Sequence, residues 1–183
     1  MRVIAGTCRS MPLKTPKGMD TRPTTDRIKE TLFNVIQMQV PDSVFVDCFS
    51  GSGGIGIEAL SRGASYAYFI ENDKEALACI KDNLNFTKLA DKATVMARDA
   101  RDGLLMVDKK ADIIFMDPPY ASGMEFAIMQ LLKNASCVDE DTLIIIEASK
   151  EHDFSDVCGL GYEIVKEKIY KTNKHVFFKL NQP

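Results

Sequence analysis

The apolar run Val44-Phe45-Val46 leads straight into Asp47-Cys48-Phe49-Ser50-Gly51-Ser52-Gly53-Gly54-Ile55-Gly56, and a helical pattern then runs through Ile57, Ala59 and Leu60 to Gly63. A strand, a glycine-rich turn and a helix in that order form the first part of a βαβ unit. Such a unit needs a parallel strand on its far side, reached by a right-handed crossover. The chain supplies one at residues 66–70, then a helix over 73–86, strands at 93–97 and 111–116, a helix over 124–133 and a strand at 142–146. Strands alternating with helices predict an α/β fold, with a mostly parallel sheet covered by helices on both faces. Thr172-Asn173 separates two further β-like runs, 162–170 and 175–180, which read as a closing hairpin with one antiparallel strand.

Before the first strand, Ile28, Leu32, Val35 and Ile36 repeat at helical spacing, with Thr24, Thr25 and Asp26 as candidate N-caps and Pro41 as the stop. Short β-like pieces at 2–5 and 11–15 precede it and suggest a small N-terminal hairpin or arm. The expected organisation is one domain over 1–183, with an arm at 1–23 and a Rossmann-like core at 24–183.

Gly51, Gly53 and Gly56 fit GxGxxG, and Glu71 follows about twenty residues later at the end of the next strand, where an acid can hold a ribose. That pattern admits a nicotinamide dinucleotide or another adenosine ligand. Asp47 separates the two. No Lys or Arg lies between it and Gly56 to offset its charge against a pyrophosphate. S-adenosylmethionine carries no phosphate but has a sulfonium and an ammonium, both of which a carboxylate favours. Asp73 reads as a helix cap. Asp99, in Arg98-Asp99-Ala100, reads equally as a cap or as an acceptor for the adenine amino group. The candidate cofactor residues are Asp47, Phe49, Ser50, Gly51, Gly53, Glu71, Asn72, Asp99 and Ala100.

The fourth strand runs directly into Asp117-Pro118-Pro119-Tyr120. Two prolines remove two backbone donors and leave carbonyls free to face a ligand. Asp117 and a proline carbonyl can both accept from a planar amino group, and Tyr120 offers a face on which a base can stack. The exocyclic nitrogen of a base is conjugated and weakly nucleophilic, so two acceptors that orient its lone pair suit methyl transfer to it. A base taken from structured RNA would first have to be unstacked. Asp117, Pro118, Pro119 and Tyr120 are the candidate catalytic residues.

These motifs in this order resemble class I S-adenosylmethionine methyltransferases that act on nucleic-acid amino groups. Three further stretches narrow the resemblance: Thr21-Arg22-Pro23-Thr24-Thr25-Asp26-Arg27-Ile28-Lys29-Glu30-Thr31-Leu32-Phe33-Asn34, Arg2-Val3-Ile4-Ala5-Gly6 and Glu58-Ala59-Leu60-Ser61-Arg62-Gly63-Ala64. With them the chain is similar to the bacterial methyltransferases of guanine N2 in small-subunit (16S) ribosomal RNA. The resemblance implies a seven-stranded sheet with an antiparallel last strand, S-adenosylmethionine as cofactor, and an assembled or assembling small ribosomal subunit as partner. A DNA adenine or cytosine amino methyltransferase is the first alternative, although no sizeable extra domain for reading DNA is present. A nicotinamide-dependent oxidoreductase is the second.

Charge bears on the partner. The formal net charge is −3, yet residues 1–30 hold seven basic side chains against three acidic ones, a net of +4. Arg2, Arg9, Lys14, Lys17, Arg22 and Arg27 are therefore the candidate RNA-binding residues. The five cysteines are an odd number, widely spaced and without a CxxC pair, so neither a disulfide framework nor a metal site is expected. No run resembles a signal peptide or a membrane span, and a cytoplasmic location is expected.

Overall fold

The computed structural model describes residues 1–16, 26–119 and 122–181. Seven strands form one sheet: β1 (Val44–Cys48), β2 (Tyr66–Glu71), β3 (Ala93–Ala97), β4 (Ile113–Met116), β5 (Leu143–Ser149), β6 (Tyr162–Ile169) and β7 (Asn173–Leu180). Among the described residues, six α-helices and a 3-10 turn (Ala90–Lys92) accompany them: α1 (Asp26–Val35), α2 (Gly54–Ser61), α3 (Lys74–Thr87), α4 (Ala100–Leu105), α5 (Met124–Leu132) and α6 (Ser155–Gly159). The strand order is β3-β2-β1-β4-β5-β7-β6. Neighbours from β3 to β5 pair in parallel, and β7 lies antiparallel between β5 and β6. This is the expected Rossmann-like sheet with an antiparallel last strand.

The central strands are apolar on both faces because both are covered. Val46, Tyr68, Ile70, Ile114, Met116, Ile144 and Ile146 join one core cluster. Their alternate neighbours Phe45, Phe69, Ile113, Phe115 and Ile145 join the other. Burying one such side chain contributes about 1.5–3 kcal/mol. β6 lies at the sheet edge, and every residue after Tyr162 is exposed along it.

Three local readings change. First, α1 ends at Val35 rather than near Pro41, because Gln37, Met38 and Gln39 are exposed and give a further turn nothing to pack on. The candidate caps Thr24 and Thr25 lie outside the described residues. Second, the buried face of α1 is Lys29, Leu32 and Phe33, with Ile36 just beyond, whereas Ile28 and Val35 are only partly buried. The apolar stripe is rotated by one position because a buried ion pair takes Lys29 into the interior. Third, α4 and α6 are too short for sequence periodicity to reveal.

The arm packs on this frame. Its hairpin is reduced to one bridge, Arg2 with Pro12, together with backbone bonds such as Val3 N to Met11 O and Ser10 N to Val3 O. Val3, Cys8 and Leu13 are buried in the second core cluster. Glu58, fully buried on α2, is the clasp. Its carboxylate accepts from the backbone N–H of Ile4 at 2.8 Å and of Ala5 at 3.0 Å. It also pairs with Lys29 at 3.2 Å and Arg62 at 2.7 Å.

Candidate active site

In an open parallel sheet a crevice forms at the carboxyl ends of the strands where the order reverses, here between β1 and β4. A cavity of about 400 Å³ lies there, lined by the loop after β1, the end of β2, the end of β4, Lys29 of α1 and arm residues Met1, Thr15 and Pro16.

The loop after β1 is held from two sides. Gly56 N–H donates to Asp47 Oδ2 at 2.8 Å, and Ser50 Oγ donates to the Asp47 carbonyl at 2.6 Å. Gly51 N–H donates to Glu71 Oε2 at 2.8 Å, while Asn72 and Asp73 N–H both reach Glu71 Oε1. An ionised carboxylate has about four lone-pair sites, so Glu71 retains acceptor capacity for a ribose while bracing the loop. Gly53 has φ of 80°, which suits glycine. Gly56 is needed for a different reason: a Cβ there would sit 2.4 Å from the Phe69 ring, so only glycine lets α2 pack this closely on β2.

Asp47, Glu71 and Asp117 face the same cavity, with Lys29. Burial raises the Asp47 pKa well above the usual carboxylate range, against the Gly56 hydrogen bond, and Glu71 and Asp117 add to the rise. Burial, with Glu147 behind it, pushes Asp117 up to about 7. Lys29 is only 1% exposed. Burial pulls its pKa down while Glu58 opposes the fall, and its ammonium also donates to the Arg2 carbonyl. Its charge is therefore largely matched within the protein. Asp47, Glu71 and Asp117 thus give the cavity three carboxyl groups, whose ionised forms a cationic ligand favours and a pyrophosphate opposes.

The cavity brings together most of the residues expected from the sequence: Asp47, Phe49, Ser50, Gly51, Glu71, Asn72, Asp117 and Pro119. Gly53 shapes the turn without lining the cavity, and Pro118 is buried beside it. Asp99 and Ala100 do not line it. Asp99 Oδ1 caps α4, accepting from Arg101 N–H at 2.9 Å and Asp102 N–H at 3.1 Å. Tyr120, Lys17 and Arg22 lie outside the described residues. Arg9 and Arg27 are exposed, whereas Arg2 pairs with Asp26 at 2.8 Å and Lys14 with Asp82 at 2.7 Å. Sequence reasoning missed Phe115 and treated Lys29 only as charge. The signal for Lys29 was present, since it shares a helical face with Leu32, Phe33 and Ile36. Among the described residues no cluster of metal-ligating side chains forms, and no helix is long and apolar enough to cross a membrane.

Known proteins resemble this chain over most of its length. The family model described as Conserved hypothetical protein 95 matches residues 1–179. The chain is 37% identical over 162 residues to the putative rRNA methyltransferase YlbH of Bacillus subtilis, covering 87% of this chain and 88% of that protein. It is 34% identical over 169 residues to ribosomal RNA small subunit methyltransferase D of Escherichia coli K12, covering 92% of this chain and 84% of that one. Among solved structures, the putative methyltransferase yhhF from Escherichia coli superposes with a TM-score of 0.88 at 32% identity, over 100% of this chain and 99% of that one. With the model and both relatives spanning most of its length, the chain belongs to the Conserved hypothetical protein 95 family of methyltransferases, alongside the ribosomal RNA small subunit methyltransferase D proteins.

Proposed function

We propose that the protein transfers a methyl group from S-adenosylmethionine to the exocyclic N2 amine of a guanine in small-subunit ribosomal RNA, working in the cytoplasm on an assembled or assembling subunit. The observation that carries this reading is the convergence of the Asp47, Glu71 and Asp117 carboxyl groups on one cavity at the switch point of the sheet. The names of the relatives, which specify rRNA and the small subunit, supply the substrate class.

Each residue then has a task. Asp47 would hold the ammonium of the cofactor, and Glu71 would accept from a ribose hydroxyl with the acceptor site that Gly51, Asn72 and Asp73 leave open. Asp99 and Ala100 would contact the adenine edge in addition to starting α4. S-adenosylmethionine, when bound, would supply a methyl on an electrophilic sulfonium for transfer to the amine. Asp117 and a carbonyl of Pro118 or Pro119 orient the target amine, and Tyr120 stacks on the base. The test is methyl incorporation into small ribosomal subunits from cells lacking the protein, followed by nucleoside analysis. N2-methylguanosine is expected. Methylated adenine or cytosine in DNA would transfer the reading to the first alternative, and tight NAD binding without S-adenosylhomocysteine binding would overturn it.

The raised pKa values of Asp47 and Asp117 fix the sign of the pH dependence of cofactor binding. A cationic ligand favours both carboxylates in ionised form and lowers their pKa, so binding near pH 7 releases protons. Affinity is expected to rise with pH through the region around the Asp117 value of about 7 and to weaken below it. Calorimetry in buffers of different ionisation enthalpy reads the released protons directly. Proton uptake, or affinity that increases as pH falls, would contradict the assignment.

The basic side chains of the arm are the proposed RNA contacts. Neutralising Arg2, Arg9, Lys14 and Lys17 together is expected to weaken binding to ribosomal particles and to flatten its salt dependence, because fewer counterions are released. Arg2 and Lys14 already pair with Asp26 and Asp82, so their share should be smaller than that of Arg9. Cofactor affinity should not change. An unchanged salt slope would move the RNA surface elsewhere, first to Lys166, Lys168, Lys171 and Lys174 around the closing hairpin.

A further inference from the structure

Behind Asp117 lies a buried polar cluster that the reading above does not use. Glu147 on β5 and His175 on β7 are direct cross-strand partners in the antiparallel register. His175 Nε2 lies 3.0 Å from Glu147 Oε2. Asn173 Nδ2 donates to Glu147 Oε1 at 2.6 Å, so each carboxylate oxygen has its own partner. The far ring nitrogen, His175 Nδ1, lies 3.0 Å from the Tyr170 hydroxyl. His175 is fully buried and Glu147 and Asn173 are each 5% exposed. A buried carboxylate with two dedicated partners is held in one orientation.

The cluster borders the cavity through two neighbours. The His175 ring meets the Phe115 ring edge-on, with centroids 5.9 Å apart, and Phe115 lines the cavity. Met116 pairs with Ile146 in the parallel β4–β5 register, which places the following residues, Asp117 and Glu147, next to each other across the sheet. We propose that Glu147, clamped by His175 and Asn173, is a positioning residue for Asp117, making the Asp117 carboxylate the acceptor of the proton that the target amine must shed. This rests on the amine-methylation reading. Once methylated, the amine nitrogen carries one proton too many. That N–H bond breaks with its electron pair left on nitrogen, an O–H bond forms on Asp117, and the proton then leaves to solvent past exposed Pro119. A like charge close behind Asp117 raises its affinity for that proton. Among the described residues, the other charged or titratable side chains that line the cavity with Asp117 are Asp47 from β1, Glu71 from β2, Asp73 before α3 and Lys29 from α1, with His175 from β7 and Tyr170 in the cluster behind. All except His175 are unchanged in the variants below.

The first measurement needs no activity: carbon-13 NMR of the Asp117 carboxyl across pH in the cofactor-free protein, assigned by its loss in Asp117→Asn. In Glu147→Gln the titration midpoint is expected to fall by about one pH unit. If that variant does not fold, the double variant Glu147→Met with His175→Phe replaces both partners by apolar groups at once and leaves no charge unpaired. The same fall is expected. The second measurement is the pH profile of methyl transfer, whose acid limb should move to lower pH with the NMR midpoint. Glu147→Asp, which restores the charge, should return both towards wild type. An unmoved midpoint in a folded variant overturns the proposal. So does a rate lowered equally at every pH, which would leave Glu147 a packing role only. Absence of any methylated amine in ribosomal RNA would instead defeat the functional reading, while the NMR result would still stand.

Discussion

Asp117→Ala is expected to lower methyl transfer by about 10²–10³-fold, the scale for removing one preorganised polar group from a reacting centre, while S-adenosylhomocysteine still binds within a few-fold of wild type. The separation follows from position. Asp117 follows β4 and lines the same cavity as the Gly51 loop and Glu71, which are braced by the Gly51 N–H donating to the Glu71 carboxylate, a bond that does not involve Asp117. Asp117→Asn should lose less than Asp117→Ala, since the amide keeps one oxygen that accepts from the amine. Tyr120→Ala is expected to fall with Asp117→Ala through loss of base stacking. Single-turnover methylation of small-subunit RNA beside calorimetry with S-adenosylhomocysteine reads the two effects apart. Joint loss of cofactor binding and of the folded state would make Asp117-Pro118-Pro119-Tyr120 a rigid turn with no part in catalysis.

Glu58→Ala should have the largest effect on stability. The substitution strands the Lys29 ammonium, which is 1% exposed, and removes the acceptor of the Ile4 and Ala5 amides. Breaking a buried pair by deleting one member costs about 3–5 kcal/mol. In a chain of this size that lowers Tm by on the order of 10 °C. The arm should also become sensitive to protease before the core unfolds, because its main polar anchor is gone. Arg62→Ala is expected to cost less: Glu58 keeps Lys29 and both amides, and the loss is confined to one partly exposed pair and a contact over the Phe33 ring at 5.0 Å. Combining Glu58→Gln with Lys29→Met should recover part of the loss, since no buried charge is then left alone. A melting shift within the scatter of surface substitutions would show that the arm is anchored by Val3, Cys8 and Leu13 instead.

Much of the cavity lining was legible from the chain because its parts are local. A ligand at the end of a parallel strand is met by the residues that follow that strand, so Asp47 with its glycines, Glu71 with Asn72, and Asp117 with its prolines appear as contiguous motifs. They reach one cavity because parallel strands end on the same side of the sheet. Asp99 shows the limit of such reading: a carboxylate after a strand serves cap and ligand alike, and its side chain is turned to the first amides of α4.

Alternating apolar runs and glycine turns determined that this chain builds a mostly parallel α/β sheet, and strand–loop junctions determined many of the residues that line its cavity. Only the tertiary structure decided what lies behind them. Lys29 and Glu58 are separated by 29 positions and meet because α1 packs on α2. Glu147 and His175 are 28 apart and meet because β7 inserts antiparallel between β5 and β6. Neither pair has a sequence signature, since the period that marks a buried face records apolar side chains and is silent about a charged one that takes the same position. Burial then gives these groups their chemistry. The same carboxyl that is an ordinary surface acid in an extended chain becomes, with much of its water stripped away and Glu147 beside it, one whose pKa is pushed up to about 7.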